Sequence, residues 1–305
     1  MSAAWDVLGF GAVAVDDLLY LDGFPAADSK MPVQEERRAG GGLAATALVA
    51  AARLGARTAY AGILGEGELS RFSIAELERE GVDCSLVRVQ PGAQPCHSTI
   101  LVDRLTGHRT ILHFTAAVVA PAIGSFSPAI ITACRVLFVD NTIAPFALDA
   151  VRLAHAQGIP VVADLERATG ADVLELARQV DHLIVGIGFA GQVTGEHEPA
   201  AMVRALRQRD QTACVVTAGE RGCWYATDAT GDTVHHVPAY PVQVVDTTGC
   251  GDVFHGAYAA SLARGESVAR AVAVANVAAG LKATQPGGRR GIPDLATIER
   301  YLEER

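Results

Sequence analysis

Short runs of β-branched and apolar residues alternate along this chain with longer alanine- and leucine-rich stretches whose apolar positions recur at helical spacing. The first pattern predicts strands at 7–12, 59–63, 136–139, 160–163, 182–185 and 214–217. The second predicts helices at 43–54, 70–80, 145–157, 198–208, 251–263 and 268–283. Strands that alternate with helices are parallel strands joined by crossovers, so the expected fold class is α/β, a doubly wound, mostly parallel sheet. Two segments break the alternation. Residues 18–38 and 96–114 are strand-like with no helix between their strands, and HSTILVDRLTGHRTILHF reads as a hairpin turning at Thr106 and Gly107. They predict a small β-sheet lid, formed by about 14–38 and 95–116, on a single domain spanning 1–305.

Composition narrows the function. Half of the 305 residues are apolar, enough for one large core. A net charge of −9 and the lack of any dense Lys/Arg run argue against a nucleic-acid surface, which needs clustered cations. The six cysteines are scattered without a CxxC pair, so reduced thiols and a cytoplasmic location are expected. No apolar run approaches the ~18 to 20 residues of a spanning helix, and Asp6, Asp16 and Asp17 interrupt the N-terminal segment. Neither membrane insertion nor secretion is expected.

The strongest chemical signal is Asp246-Thr247-Thr248-Gly249-Cys250-Gly251-Asp252, followed by the apolar helical pattern Val253, Phe254, Ala257, Tyr258 and Leu262. Val244 and Val245 read as the end of a strand, and the glycines permit a tight turn into a helix starting at about Gly251. The N–H groups of Gly249, Cys250 and Gly251 would then face an anion at a positive helix end. A carboxylate in a first helical turn is ordinarily a capping group, yet Asp252 beside an anion site is also placed to take a proton from an attacking hydroxyl. A lid over such a site would keep water from a transferring phosphoryl group. Gly9 to Ala14 nominally satisfy the dinucleotide fingerprint G-x-G-x-x-A, but residues 15–20 continue as strand rather than helix, which argues against a nicotinamide dehydrogenase. There is no G-x-x-x-x-G-K-[ST] phosphate loop.

DTTGCGDVFHG resembles the DTxGAGDxFxG signature of the ribokinase-like, or PfkB, carbohydrate kinases, with Cys250 in place of alanine. The resemblance spans essentially the whole chain and implies an ATP-dependent sugar kinase with Asp252 as base, and Gly249, Cys250 and Gly251 as anion hole. It implies sugar contacts from Asp16 and from Gly41, Gly42 and Thr46, the last standing where the family usually has asparagine. Thr217, Gly219 and Gly222 match its nucleotide turn, and Asn276 its adenine-side position. Asp246 and Thr248, with the carbonyls of Lys282, Gln285, Gly287 and Gly291, match a monovalent-cation site, so K+ is implied beside ATP and Mg2+. The family's N-x-x-E magnesium motif is replaced by Gly186 and Phe189, while the 164–167 stretch DLER resembles its D-x-x-R.

GGGLAAT at 40–46 and the 280–294 segment look most like the sulfofructose-kinase branch, and Lys30 fits that branch. His113 and Thr142 stand where an amide and an arginine are expected, which favours a ketose or related sugar instead. Lys30 reads equally as a solvated surface residue. Arg109 in the hairpin and Asn141 past a strand end are further candidates for sugar contact. A nucleoside kinase of the same family, or a sugar-binding regulator that keeps the fold without turnover, are the alternatives. The expected partners are a small sugar and ATP, with a homodimer formed through the lid.

Overall fold

The structure, a computed structural model, describes residues 3–231 and 233–304. Strand β1 (Trp5–Phe10) is followed by β2 (Ala14–Leu21) and β3 (Glu35–Gly41), which leave the main sheet, and helix α1 (Leu43–Arg53) returns the chain to β4 (Thr58–Leu64). Helix α2 (Glu68–Arg79) leads to β5 (Val82–Val89), then to the hairpin of β6 (Cys96–Asp103) and β7 (Arg109–Phe114). A short helix, α3 (Pro128–Ile131), precedes β8 (Cys134–Asp140), α4 (Ala144–His155), β9 (Val161–Asp164), α5 (Ala171–Gln179) and β10 (His182–Gly186). Helices α6 (Ile187–Thr194) and α7 (Pro199–Leu206) cross to β11 (Ala213–Thr217), which is followed by β12 (Cys223–Thr227) and β13 (His235–Val237). Helices α8 (Cys250–Ala263), α9 (Val268–Lys282) and α10 (Leu295–Glu303) complete the described chain.

The main sheet has the order β13-β12-β11-β10-β9-β8-β1-β4-β5, parallel except for β12 and β13. From β1 the chain winds outward to β4 and β5, then restarts at β8 and winds the other way. The direction therefore reverses between β1 and β8, and a crevice opens there at the carboxyl ends of the strands, where open α/β sheets bind ligands. One face of the sheet buries an alanine-rich layer from α1, α8 and α9, and the other buries α4, α5 and α7. Helix α8 is apolar nearly all round, as a helix packed on every side must be. The second sheet, β3-β2-β6-β7, carries the hairpin expected from the sequence.

Several boundaries differ from expectation for local reasons. The first strand stops at Phe10 rather than at residue 12, because Asp140 captures the Ala12 N–H (2.6 Å) and turns the chain into the second sheet. Val244 and Val245 are exposed coil, not a strand end: the main sheet already ends at β13, and the Val245 and Asp246 N–H groups bond the Ala283 carbonyl at 2.8 and 3.0 Å. Strands β5, β12 and β13 and helices α5, α6 and α10 were not expected. The edge strands β5 and β13 are rich in polar residues, and β12 and the helices are short, so none shows a sustained period. Among the described residues no helix is long and apolar enough to cross a membrane.

Candidate active site

Gly11 and Asp140 meet where the sheet reverses. Asp140 is buried, and its carboxylate accepts the N–H groups of Ala12 (2.6 Å) and Thr142 (2.9 Å), joining the ends of β1 and β8. Gly11 has φ +148°, and any Cβ there would collide with the Asp140 carboxylate. Tyr60, from β4, donates its hydroxyl to the Gly11 carbonyl at 3.1 Å. Sequence reading missed Asp140; its only signal is an acid ending an otherwise apolar strand.

Gly11, Ala12, Tyr60 and Thr142, with Asp140 buried behind them, line one side of a cavity of about 390 Å³, roofed by β6, β7 and the segment after them. Gly42, Ser98, Asn141, Glu166, Arg167 and Asp252 line it. Asn141 accepts the Glu166 N–H at 3.1 Å, fixing the two turns against each other. Asp16 lies just behind the wall, hydrogen-bonded to Ser98 and in contact with Gly41, where a Cβ would come within 2.5 Å of its carboxylate. Burial raises the Asp16 pKa, and the Ser98 bond and the Arg289 charge oppose that.

A second cavity, of about 800 Å³, lies on the other side of α8. Thr217, Gly219, Gly222 and Asn276 all line it, with Thr247, Cys250 and Gly251 at its inner end. Asn276 is held by donating to the Pro238 carbonyl at 2.7 Å. The amino end of α8 is therefore the partition between the cavities, with Asp252 facing the smaller and Cys250 and Gly251 the larger. Gly249 has φ +76°, which a left-handed turn requires, and lies so close to Gly288 that a Cβ would fall 2.6 Å from its carbonyl oxygen. The Cys250 N–H is directed to the Thr247 carbonyl (3.2 Å), so among the described residues the open donors of the turn are the N–H groups of Gly249 and Gly251. Burial raises the pKa of the Cys250 thiol.

Asp252 is held in a strongly acidic setting. Burial raises its pKa well above the carboxylate range, and Asp164 and Glu166 raise it further. Asp164 ends β9, fully enclosed, and its Oδ2 has no hydrogen-bond partner. His255 sits 3.3 Å from that carboxylate, with its ring nitrogens 2.8 Å and 2.9 Å from the carbonyls of Gly251 and Ile184. It ties the first turn of α8 to the sheet. Three residues apart in α8, His255 and Asp252 are neighbours on one helix face, and the sheet beneath adds the Ile184 carbonyl and Asp164 as partners.

Several expected positions lie outside both linings, Gly41, Gly249, Asp246, Thr248, Lys282, Gly287 and Gly291 among them. Thr46 is buried and accepts from Arg289 Nε at 3.2 Å, so its hydroxyl faces that guanidinium instead of the cavity. Arg289 was not anticipated. It also donates to the Gly41 carbonyl at 2.9 Å, and burial among these turns lowers its pKa to about 10. Arg109 does not line the smaller cavity; it reaches from β7 to the Asp246 carboxylate (3.0 Å) and the Thr248 hydroxyl. It shares a strand face with Ile111 and His113, which do line that cavity, but stands at the far end of β7, over the turn before α8. Lys30 is exposed in the 22–34 loop and lines neither cavity, and Gln285 is likewise in neither lining.

Two cavities meeting at an anion-binding helix end, with a carboxylate between them, define a small-molecule phosphotransferase. The model of the pfkB family carbohydrate kinases matches residues 6–295, and the chain belongs to that family. A putative ribokinase from Agrobacterium tumefaciens superposes with a TM-score of 0.90 at 32% identity, covering 100% of both chains. A ribokinase from Arabidopsis thaliana, solved with ribose and ATP, superposes at 0.85 and 22% identity, covering 99% of each chain. A bifunctional ribokinase/ribose-5-phosphate isomerase A from Fructilactobacillus sanfranciscensis is 26% identical over 98% of this chain, which spans 56% of that protein's length.

Proposed function

We propose that this sugar kinase binds its acceptor in the smaller cavity and ATP in the larger, and moves the γ-phosphoryl group past the amino end of α8 to an acceptor hydroxyl. The observation that carries this reading is the partition itself: Asp252 opens on one cavity and the Gly251 turn on the other. Asp252 takes the hydroxyl proton as the nucleophile attacks in line, and the N–H groups of Gly249 and Gly251 receive the charge that builds on the phosphoryl oxygens. A base with an elevated pKa suits this step, because proton transfer is most efficient when donor and acceptor are nearly matched.

Magnesium would accompany ATP and screen its phosphates. Gly186 and Phe189 offer it no side-chain ligand, and Asp164 and Glu166, beside Asp252, are the carboxyl groups nearest to a hydrated ion held mainly by phosphate.

The acceptor is read as a neutral ketose or aldose. A sulfonated sugar, suggested by the GGGLAAT segment, needs several cations in one pocket, and Arg167 is the one cationic side chain in the lining. We also read the second sheet as the lid and, through the face of β7 turned away from the smaller cavity (Leu112 and Phe114, each more than half exposed), as the contact of a homodimer. Six unpaired cysteines agree with a cytoplasmic enzyme.

A coupled ADP-release assay across free pentoses, hexoses, ketoses and nucleosides tests the reading. At least one free sugar should be turned over, and Asp252→Asn should lower kcat by roughly 10² to 10⁴ with ATP affinity kept. Binding of a sugar without any ADP release would point to a regulator, and preference for adenosine to a nucleoside kinase.

A further inference from the structure

The turn before α8 has the composition of a monovalent-cation site, yet the Asp246, Thr248 and Lys282 oxygens of that set already carry donors. Asp246 Oδ1 accepts the Thr248 N–H (2.8 Å), the Thr248 hydroxyl (2.7 Å) and Arg109 (3.0 Å), while Oδ2 accepts the Gly287 N–H (2.8 Å). The Lys282 carbonyl accepts the Gln285 N–H at 3.2 Å. Burial works to raise the Asp246 pKa, but these bonds and the Lys282 charge bring it to about 2.

The Asp246 carbonyl is taken by Lys282 Nζ at 2.8 Å. Lys282 ends α9 and is one of the two lysines in the chain, yet it is wholly enclosed, at 0% exposure. Enclosing an ammonium costs several kcal/mol unless anionic groups surround it. Burial lowers the Lys282 pKa and Arg109 adds to that, while the neighbouring Asp246 and Asp252 carboxyl groups oppose it. A soluble potassium ion and this ammonium would compete for the same carbonyl. The residues therefore do not fit the bound cation that the motif implies.

We propose that the Lys282 ammonium is a tethered replacement for that cation. It is a positioning residue: it draws the Asp246 carbonyl inward behind the turn, so that the peptide N–H groups at Gly249 and Gly251 face the larger cavity, and it places a fixed positive charge behind them. The enzyme then needs no potassium.

This inference rests on the sugar-kinase reading for its effect on turnover, so the test has two readouts. In the first, melting temperature is measured with K+, Na+ or tetramethylammonium as the salt; an ion bound only by the native state raises it. Wild-type protein should melt alike in all three, and Lys282→Met should melt lower and be raised selectively by K+ or NH4+. In the second, kcat of the wild type should stay within about twofold across the three salts. The variant should lose about tenfold or more, and NH4+ should recover part of the loss, since an ion can occupy the vacated position. A wild-type melting temperature or kcat that rises strongly and selectively with K+ overturns the proposal. So does a folded Lys282→Met protein that no small cation rescues. Absence of turnover with every sugar would instead count against the kinase reading and leave the melting comparison to decide the role of Lys282.

Discussion

Asp252 acquires its chemistry from neighbours far away in sequence. Its own heptapeptide supplies the amide donors, but the elevated pKa comes from burial, then from Asp164 and Glu166 on a different strand end. Glu166→Gln removes one of those negative charges, so the Asp252 pKa falls and the base form persists to lower pH. The acid limb of the kcat–pH profile should therefore move toward lower pH, and an unmoved limb would show that the titrating group is not Asp252. Gly11 offers a second test. Alanine there meets the Asp140 carboxylate at a φ of +148°, so Gly11→Ala should raise the sugar KM by about tenfold or more, with the ATP KM little changed. The local motifs, Gly249 to Asp252 and Thr217 to Gly222, were legible because a tight turn constrains residue type over a few positions. Asp140 and Arg289 were not, because a buried ion partner is recognised only by what lies against it in space.

At the scale of elements, α8 must sit close to α1 for the partition to be where it is. Gly256 makes that possible: its Cα packs on the Ala47 carbonyl of α1 with no room for a side chain. Gly256→Ala should cost about 1–3 kcal/mol, read as a lower denaturant midpoint with an unchanged slope. The parallel strands and their crossover helices could be read from hydrophobic period alone, since central strands are apolar throughout and the α1, α8 and α9 layer is alanine-rich. The outer strands and the short helices α5 and α6 could not, because edge pairing and short helices are settled by tertiary contact rather than by local pattern.

Over the whole molecule, Arg109 joins the second sheet to the phosphate turn through Asp246 and Thr248. That contact links the sheet roofing the smaller cavity to the turn at the inner end of the larger one. Addition of a sugar that is turned over should slow amide hydrogen exchange in 96–114 and 246–252 together, and Arg109→Ala should uncouple the two. If protection at 246–252 survives in that variant, the link does not pass through Arg109.

A single wall shared by two chambers also divides the labour of adaptation. Tyr60, Ile111 and His113 line the smaller cavity and are absent from the lining of the larger. Descendants of this chain could change diet by exchanging those three side chains while the machinery that handles the energy currency stays fixed.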